Sequence, residues 1–218
     1  MPKAITIKLF VVFVFLFSSV ALVAQGPDFP TVQYTQELWS LNPPKYLVRV
    51  NTIGNARYES TPNSTEQSGQ NYTLEFNISE TNKDKIFNAL EGLSFFDKTV
   101  DDVTPGDGGS RALIYLYGET QTVASYHATS NPLAQKLTSL FQSISTTLET
   151  GRRLDNLHQQ KDPGLADAVS RMLARAQAGE LAELQTIAPV LQSIALDQSL
   201  AAALRAQVRT VMKIAAGK

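Results

Sequence analysis

No aromatic residue follows Phe141, although the chain carries ten phenylalanines, seven tyrosines and one tryptophan. Strands draw on aromatic and β-branched side chains, whereas alanine and leucine suit helices. The chain therefore divides into an aromatic-bearing part able to build a sheet and an alanine- and leucine-rich part suited to helices. The seam falls near Lys161-Asp162-Pro163-Gly164.

Upstream of the sheet-forming part, Lys3 and Lys8 precede an uncharged apolar run from Leu9 through Phe17 and on to Ala24, the layout of a secretory signal. The run is shorter than the roughly 20 residues a membrane span needs, so cleavage after Ala21 or Ala24 is expected rather than anchoring. That places the protein outside the cytoplasm, periplasmic or secreted, in a bacterial setting. Cysteine is absent, which removes disulfides, thiol catalysis, thiolate metal sites and lipid attachment through an N-terminal cysteine. Losing Lys3 and Lys8 with the signal takes the 19 bases and 20 acids from a net charge of −1 to −3, a balance with no pull toward nucleic acid.

Residues 25–45, with Pro27, Pro30, Pro43, Pro44 and the lone Trp39, read as an extended leader, Trp39 packing on the domain. From Tyr46 the apolar residues recur with period two. Tyr46, Val48 and Val50 share a face, Gly54-Asn55 offers a two-residue turn, and residues 56–60 return as a hairpin. After a polar stretch over 61–69, Tyr72, Leu74, Phe76 and Ile78 alternate with polar residues as a half-buried strand. Ser79 or Thr81 can cap a helix with Ile86, Phe87, Leu90 and Leu93 on one stripe. Past the loop over 97–110, residues 111–117 and 121–127 form a second hairpin about Gly118-Glu119. Asn131-Pro132 opens a long helix as N-cap and first-turn proline, with Leu133, Leu137, Leu140, Phe141, Ile144 and Leu148 on its apolar stripe.

The expected fold class is α+β: an antiparallel sheet of two hairpins plus a strand, with two helices packed on one side, followed by an all-helical C-terminal module. The domain plan is a signal at 1–24, a leader at 25–45, an α+β domain at 46–160 and a helical module at 161–218. In that module Asp162-Pro163 begins a helix closed by Gly179, the segment 180–194 kinks or restarts at Pro189, and another helix runs from about Asp197.

From Leu47 to about Leu148 the chain resembles a widespread bacterial exported domain family of unknown function. The features that carry the resemblance are Gly54 in the first turn, Tyr58, Leu93-Ser94-Phe95-Phe96, Asp101 or Asp102, Val123-Ala124-Ser125-Tyr126 and the helix from Pro132. Many members carry cysteines near the first hairpin and this chain has none. The resemblance implies a fold and no reaction.

Catalytic motifs are missing: there is no Gly-x-Ser-x-Gly elbow and no Ser-x-x-Lys, and Gly106, Gly108 and Gly109 lack the Lys-Ser/Thr and helix of a phosphate loop. His127 and His158 do not pair as metal ligands, and Asp97, Asp101, Asp102 and Asp107 miss calcium-loop spacing. The sequons at Asn63, Asn71 and Asn77 are idle in bacteria.

What remains is surface. Tyr115, Tyr117 and Tyr126 can line a pocket between sheet and helices, and Arg205, Arg209 and Lys213 fall at i, i+4 and i+8 as a basic stripe, as do Arg171 and Arg175. Glu59, Glu75 and Glu119 lie on or beside strands, where a pair can do acid–base work. The leading expectation is a non-catalytic protein-binding or structural module of the cell envelope, with a protein partner there, no cofactor, no metal, no nucleic acid and no stable membrane span after cleavage. The alternatives are a periplasmic small-ligand binder using the tyrosines and a glycan-acting enzyme using a carboxylate pair.

Overall fold

The structure, a computed structural model, describes residues 27–61, 71–97 and 109–217. The expected signal segment, most of the polar stretch after Thr61 and the loop carrying Asp101, Asp102 and Asp107 lie outside the described residues. Six strands form one antiparallel sheet: β1 (Thr31–Glu37), β2 (Lys45–Asn51), β3 (Asn55–Thr61), β4 (Tyr72–Asn77), β5 (Ser110–Tyr117) and β6 (Thr120–Tyr126), in the order β4-β3-β2-β1-β5-β6. The helices are α1 (Glu80–Gly92), α2 (Pro132–Gln159), α3 (Leu165–Gln177), α4 (Ala188–Leu196) and α5 (Ala202–Ala216), with short 3-10 turns at Ser94–Phe96 and Leu184–Ile187. The α+β fold with a helical C-terminal part is as expected from the sequence.

The strand not expected from the sequence is one of the two central ones. The leader does not lie beside the domain: its residues 31–37 are β1, paired antiparallel with β2 on one side and β5 on the other. Val32, Tyr34 and Gln36 point inward and are buried. Pro27 and Pro30 precede the strand and Pro43 and Pro44 follow it, so no ladder donor is lost. Trp39 does not pack on the domain as expected; in the loop after β1 it is 73% exposed.

The first hairpin turns through three residues rather than two. Val50 pairs with Ala56, Gly54 takes φ of 90°, and its N–H donates to Asn51 O. The second turn is as read, with Tyr117 opposite Thr120 and Gly118 at φ of 55°. Along β2 and β3 burial alternates strictly, and α1 and α2 cover the buried face. Asn131 Oδ1 caps α2, accepting from Leu133 and Ala134 N–H. Between α1 and β5, Ser94, Phe95 and Phe96 all take positive φ, a left-handed turn that costs L-residues roughly 1–2 kcal/mol each. The turn drives Phe96 into the core and sets Phe95 edge-on to Tyr115 at 5.3 Å.

The C-terminal helices share that core. Leu154 of α2, Leu165, Val169 and Met172 of α3, Leu191 and Ile194 of α4 and Val208 of α5 belong to one continuous buried cluster with the sheet residues. Pro189 sits in the first turn of α4, so the chain restarts there rather than kinking.

Candidate functional site

Helix α2 carries two stripes. Leu137, Phe141, Ile144 and Leu148 are buried against the sheet, as amphipathic spacing requires. Beside them Gln142, Thr146, Glu149, Arg153, Asn156 and Gln160 recur at alternating steps of four and three, and all six line a cleft of about 880 Å³. At 1.5 Å rise per residue this polar stripe runs for roughly 27 Å. Leu41, Asn42 and Pro43 of the loop between β1 and β2 form another part of the wall, and Asp162 and Arg175 bring in the α2–α3 turn and α3.

Gln36 and Tyr46 form the floor, and the sheet face beneath the cleft carries a hydrogen-bonded polar network. Tyr34, Tyr46, Tyr58 and Tyr72 step diagonally across β1 to β4, with neighbouring ring centres 5.9–6.0 Å apart, and Phe141 stacks on Tyr34 at 5.1 Å. Gln36 Oε1 accepts from Tyr34 Oη (2.9 Å), Tyr46 Oη (3.3 Å) and Gln142 Nε2 (2.9 Å). Glu149 Oε1 accepts from Tyr58 Oη (2.9 Å) and Ser60 Oγ (2.6 Å), while its other oxygen meets Arg152 Nη2 at 2.7 Å. Arg152 also lies over the Tyr72 ring at 5.2 Å. Burial pushes the phenols of Tyr34, Tyr46 and Tyr58 well above their ordinary range, and for Tyr58 the neighbouring Glu149 carboxylate adds to it. They are therefore permanent hydrogen-bond donors, not acids or nucleophiles.

At the rim, Arg152, Arg153 and Arg175 outnumber Glu149 and Asp162. Arg175 is held by Glu180 at 3.0 Å, whereas Arg153 is exposed and has no carboxylate partner among the described residues. Such a cleft can orient a polar ligand through amides, hydroxyls and guanidinium groups. The serine hydroxyl that faces its Glu149 carboxylate, Ser60 Oγ, is buried beneath the cleft and does not line it.

The three tyrosines expected to share a pocket are dispersed. Tyr126 is buried at one end of β6, bonded to Thr138 Oγ1; Tyr115 and Tyr117 lie at the far end of β5, half-buried under Phe95 and exposed respectively. None of them lines this cleft or a second one of about 540 Å³ on the outer sheet face. Arg205 and Arg209 are spent partly inside the fold. Arg205 Nη1 donates to Gln198 Oε1 (2.7 Å), and Arg209 Nη2 donates to Ala195 O (3.4 Å) near the C-terminal end of α4. Glu59 and Glu75 do meet, both paired to the one Arg57 at 2.6 and 3.4 Å, while Glu119 sits in the β5–β6 turn, three strands from β3. Among the described residues no three His, Asp or Glu converge as metal ligands.

His158 ends α2 in a Ser-His-Asp grouping the sequence did not reveal: Asp197 Oδ2 lies 2.9 Å from Nε2, and Ser193 Oγ 3.5 Å from Nδ1. It does not form a nucleophilic site. Ser193 Oγ donates to Val190 O, and Ser193 lies inside α4, where backbone N–H groups are used by the helix and none is left to hold an oxyanion. The grouping clasps α2 to the α4–α5 turn.

The cleft itself had a legible signal. Tyr34, Tyr46 and Tyr58 recur every 12 residues, the period of one antiparallel strand and its turn, and the polar stripe of α2 follows helical spacing. No protein-family model and no curated protein matches the chain.

Proposed function

We propose that the protein is an exported, non-catalytic binding module that takes a polar ligand in the cleft along α2. The observation that carries this reading is the second stripe of α2. A polar outer side is what any amphipathic helix shows; what is particular here is that Gln142 and Glu149 reach down from it to Gln36, Tyr58 and Ser60 of the sheet, and Arg152 to the Tyr72 ring, at the base of an open cleft. Buried ion pairs add little stability over apolar packing, and a satisfied network holds its members rigidly, so this one gives the open cleft above it a preorganised base, which supports recognition. Export rests on the basic-then-apolar N-terminal run. The test is an amide NMR titration of the protein with small carboxylates, phosphates and sugars. Shifts clustered at Thr146, Arg153 and Asn156 support the reading; an unresponsive cleft overturns it.

A second reading, a protein partner at the open sheet face, draws on a different feature. Ala112, Ile114 and Leu116 of β5 and Val123 of β6 share that face, and Val123 is 46% exposed. The same titration separates the two, because a partner there would leave the α2 resonances unmoved.

A further inference from the structure

We infer that the ligand of the α2 cleft is an acidic oligosaccharide, with Trp39 as its stacking platform and Arg153 as its carboxylate contact. The inference rests on the cleft being a binding site and adds the class of ligand. Three observations converge on it.

The first is Trp39, the most exposed large apolar side chain among the described residues, at 73%. It does not itself line the cleft, but it lies two residues before Leu41 in the same loop, and Leu41, Asn42 and Pro43 form cleft wall, which puts the indole at the cleft's margin. Leaving an indole in water forgoes the burial that usually places tryptophan inside. A flat aromatic face beside a polar groove suits a pyranose ring, whose C–H face packs on the indole while its hydroxyl rim turns to hydrogen-bonding groups.

The second is the lining. Asn156 and Gln160, both exposed on the cleft, each present a donor and an acceptor, which matches hydroxyls that also do both. The polar stripe's run of roughly 27 Å along α2 fits several linked sugars better than a compact metabolite. An extended peptide would want a strand edge or apolar side-chain pockets. The strand residues at the floor, Gln36 and Tyr46, belong to β1 and β2, which are paired on both sides, and apolar lining is confined to Leu41, Pro43 and Leu157.

The third is charge. Arg152 and Arg175 are engaged by Glu149 and Glu180, which leaves Arg153 to meet a ligand carboxylate, a bidentate match for guanidinium.

Because Trp39 is the only tryptophan, the intrinsic fluorescence of the whole protein reports on this one place. Titration with oligogalacturonate should shift the emission to shorter wavelength and saturate. Cello-oligosaccharide of equal length should bind at least tenfold more weakly, and acetate, inorganic phosphate and a polyglutamate peptide should leave the emission unchanged. Calorimetry should show at least tenfold weaker binding of oligogalacturonate by Arg153→Ala and by Trp39→Ala, with melting temperatures unaltered because both side chains are exposed. Equal response to the neutral glycan overturns the acidic assignment. Response to polyglutamate alone, or to none of the glycans, overturns the ligand class. If small polar solutes still shift the cleft resonances in that case, the binding-module reading survives by itself.

Discussion

Glu183 shows how one side chain joins two parts of the fold. It is 4% exposed and stands in left-handed backbone at φ of 60°. Its carboxylate accepts from Ser79 N–H (2.9 Å), Ser79 Oγ (2.7 Å) and Asn82 Nδ2 (2.6 Å), and from the Gln185 amide. It thus caps α1 in place of the Ser79 side chain, which makes no capping bond within its own helix, and it brings negative charge to the positive end of the helix dipole. Sequence offered Ser79 or Thr81 as the cap of α1 but had no means of finding a partner about a hundred residues away. Glu183→Ala leaves buried donors unpaired and should cost about 1–3 kcal/mol, read as a lower urea midpoint with unchanged m. Asp197 adds a pH dependence. The Ser199 hydroxyl, then His158, then the Ser199 N–H hold its carboxyl at about 2, below the ordinary 3.8. A group whose pKa is lowered by folding contributes stability that is complete above its unfolded value and is lost as pH falls through its folded one. Melting temperature should therefore drop between about pH 4 and pH 2. In Asp197→Asn that part of the slope should flatten, and an unchanged slope would show that the clasp does not contribute.

At the level of elements, legibility followed how completely a segment obeyed one period. β4 and the start of α2 were readable because alternation and an Asn-Pro cap are local signals. β1 was not, although Val32 and Tyr34 alternate correctly, because the third inward residue is Gln36 and prolines flank the strand. Only the tertiary partners Tyr34, Tyr46 and Gln142 make an inward glutamine acceptable. The α2 cleft was half legible for the same reason: the polar stripe can be read, but its facing wall comes from the supposed leader. Packing of α2 against the turn before α4 was hidden in a glycine. Gly151 is buried, and a Cβ there would lie 2.4 Å from Ile187 Cγ2. Gly151→Ala gains about 1 kcal/mol of helix propensity. It should nevertheless lose more than this through overpacking, typically 1–3 kcal/mol. Combined with Ile187→Ala, the two losses should fall short of additive by at least about 0.5 kcal/mol in denaturant unfolding. Strict additivity would mean that the helix shifts and the contact does not limit it.

For the whole molecule, the aromatic boundary after Phe141 marks a change of composition within a shared core. The composition changes because a sheet gives way to helices, yet α2 belongs to both regimes: its Phe141 stacks on Tyr34, and its Leu154 is buried in the cluster shared with α3 to α5. Glu183 then ties the segment after α3 back to α1. A helical module of this size, cut away, would expose the apolar sides of α3 and α5, and small helical units depend on tertiary burial of such faces. Heating should give one endotherm whose calorimetric and van't Hoff enthalpies agree, as in an all-or-none transition. Glu183→Ala should move that endotherm down without splitting it, since the shared apolar cluster remains. Two resolved endotherms in the unaltered protein would instead show that residues 165–216 hold a core of their own, and that the contacts made by α2 and Glu183 dock two independently stable bodies.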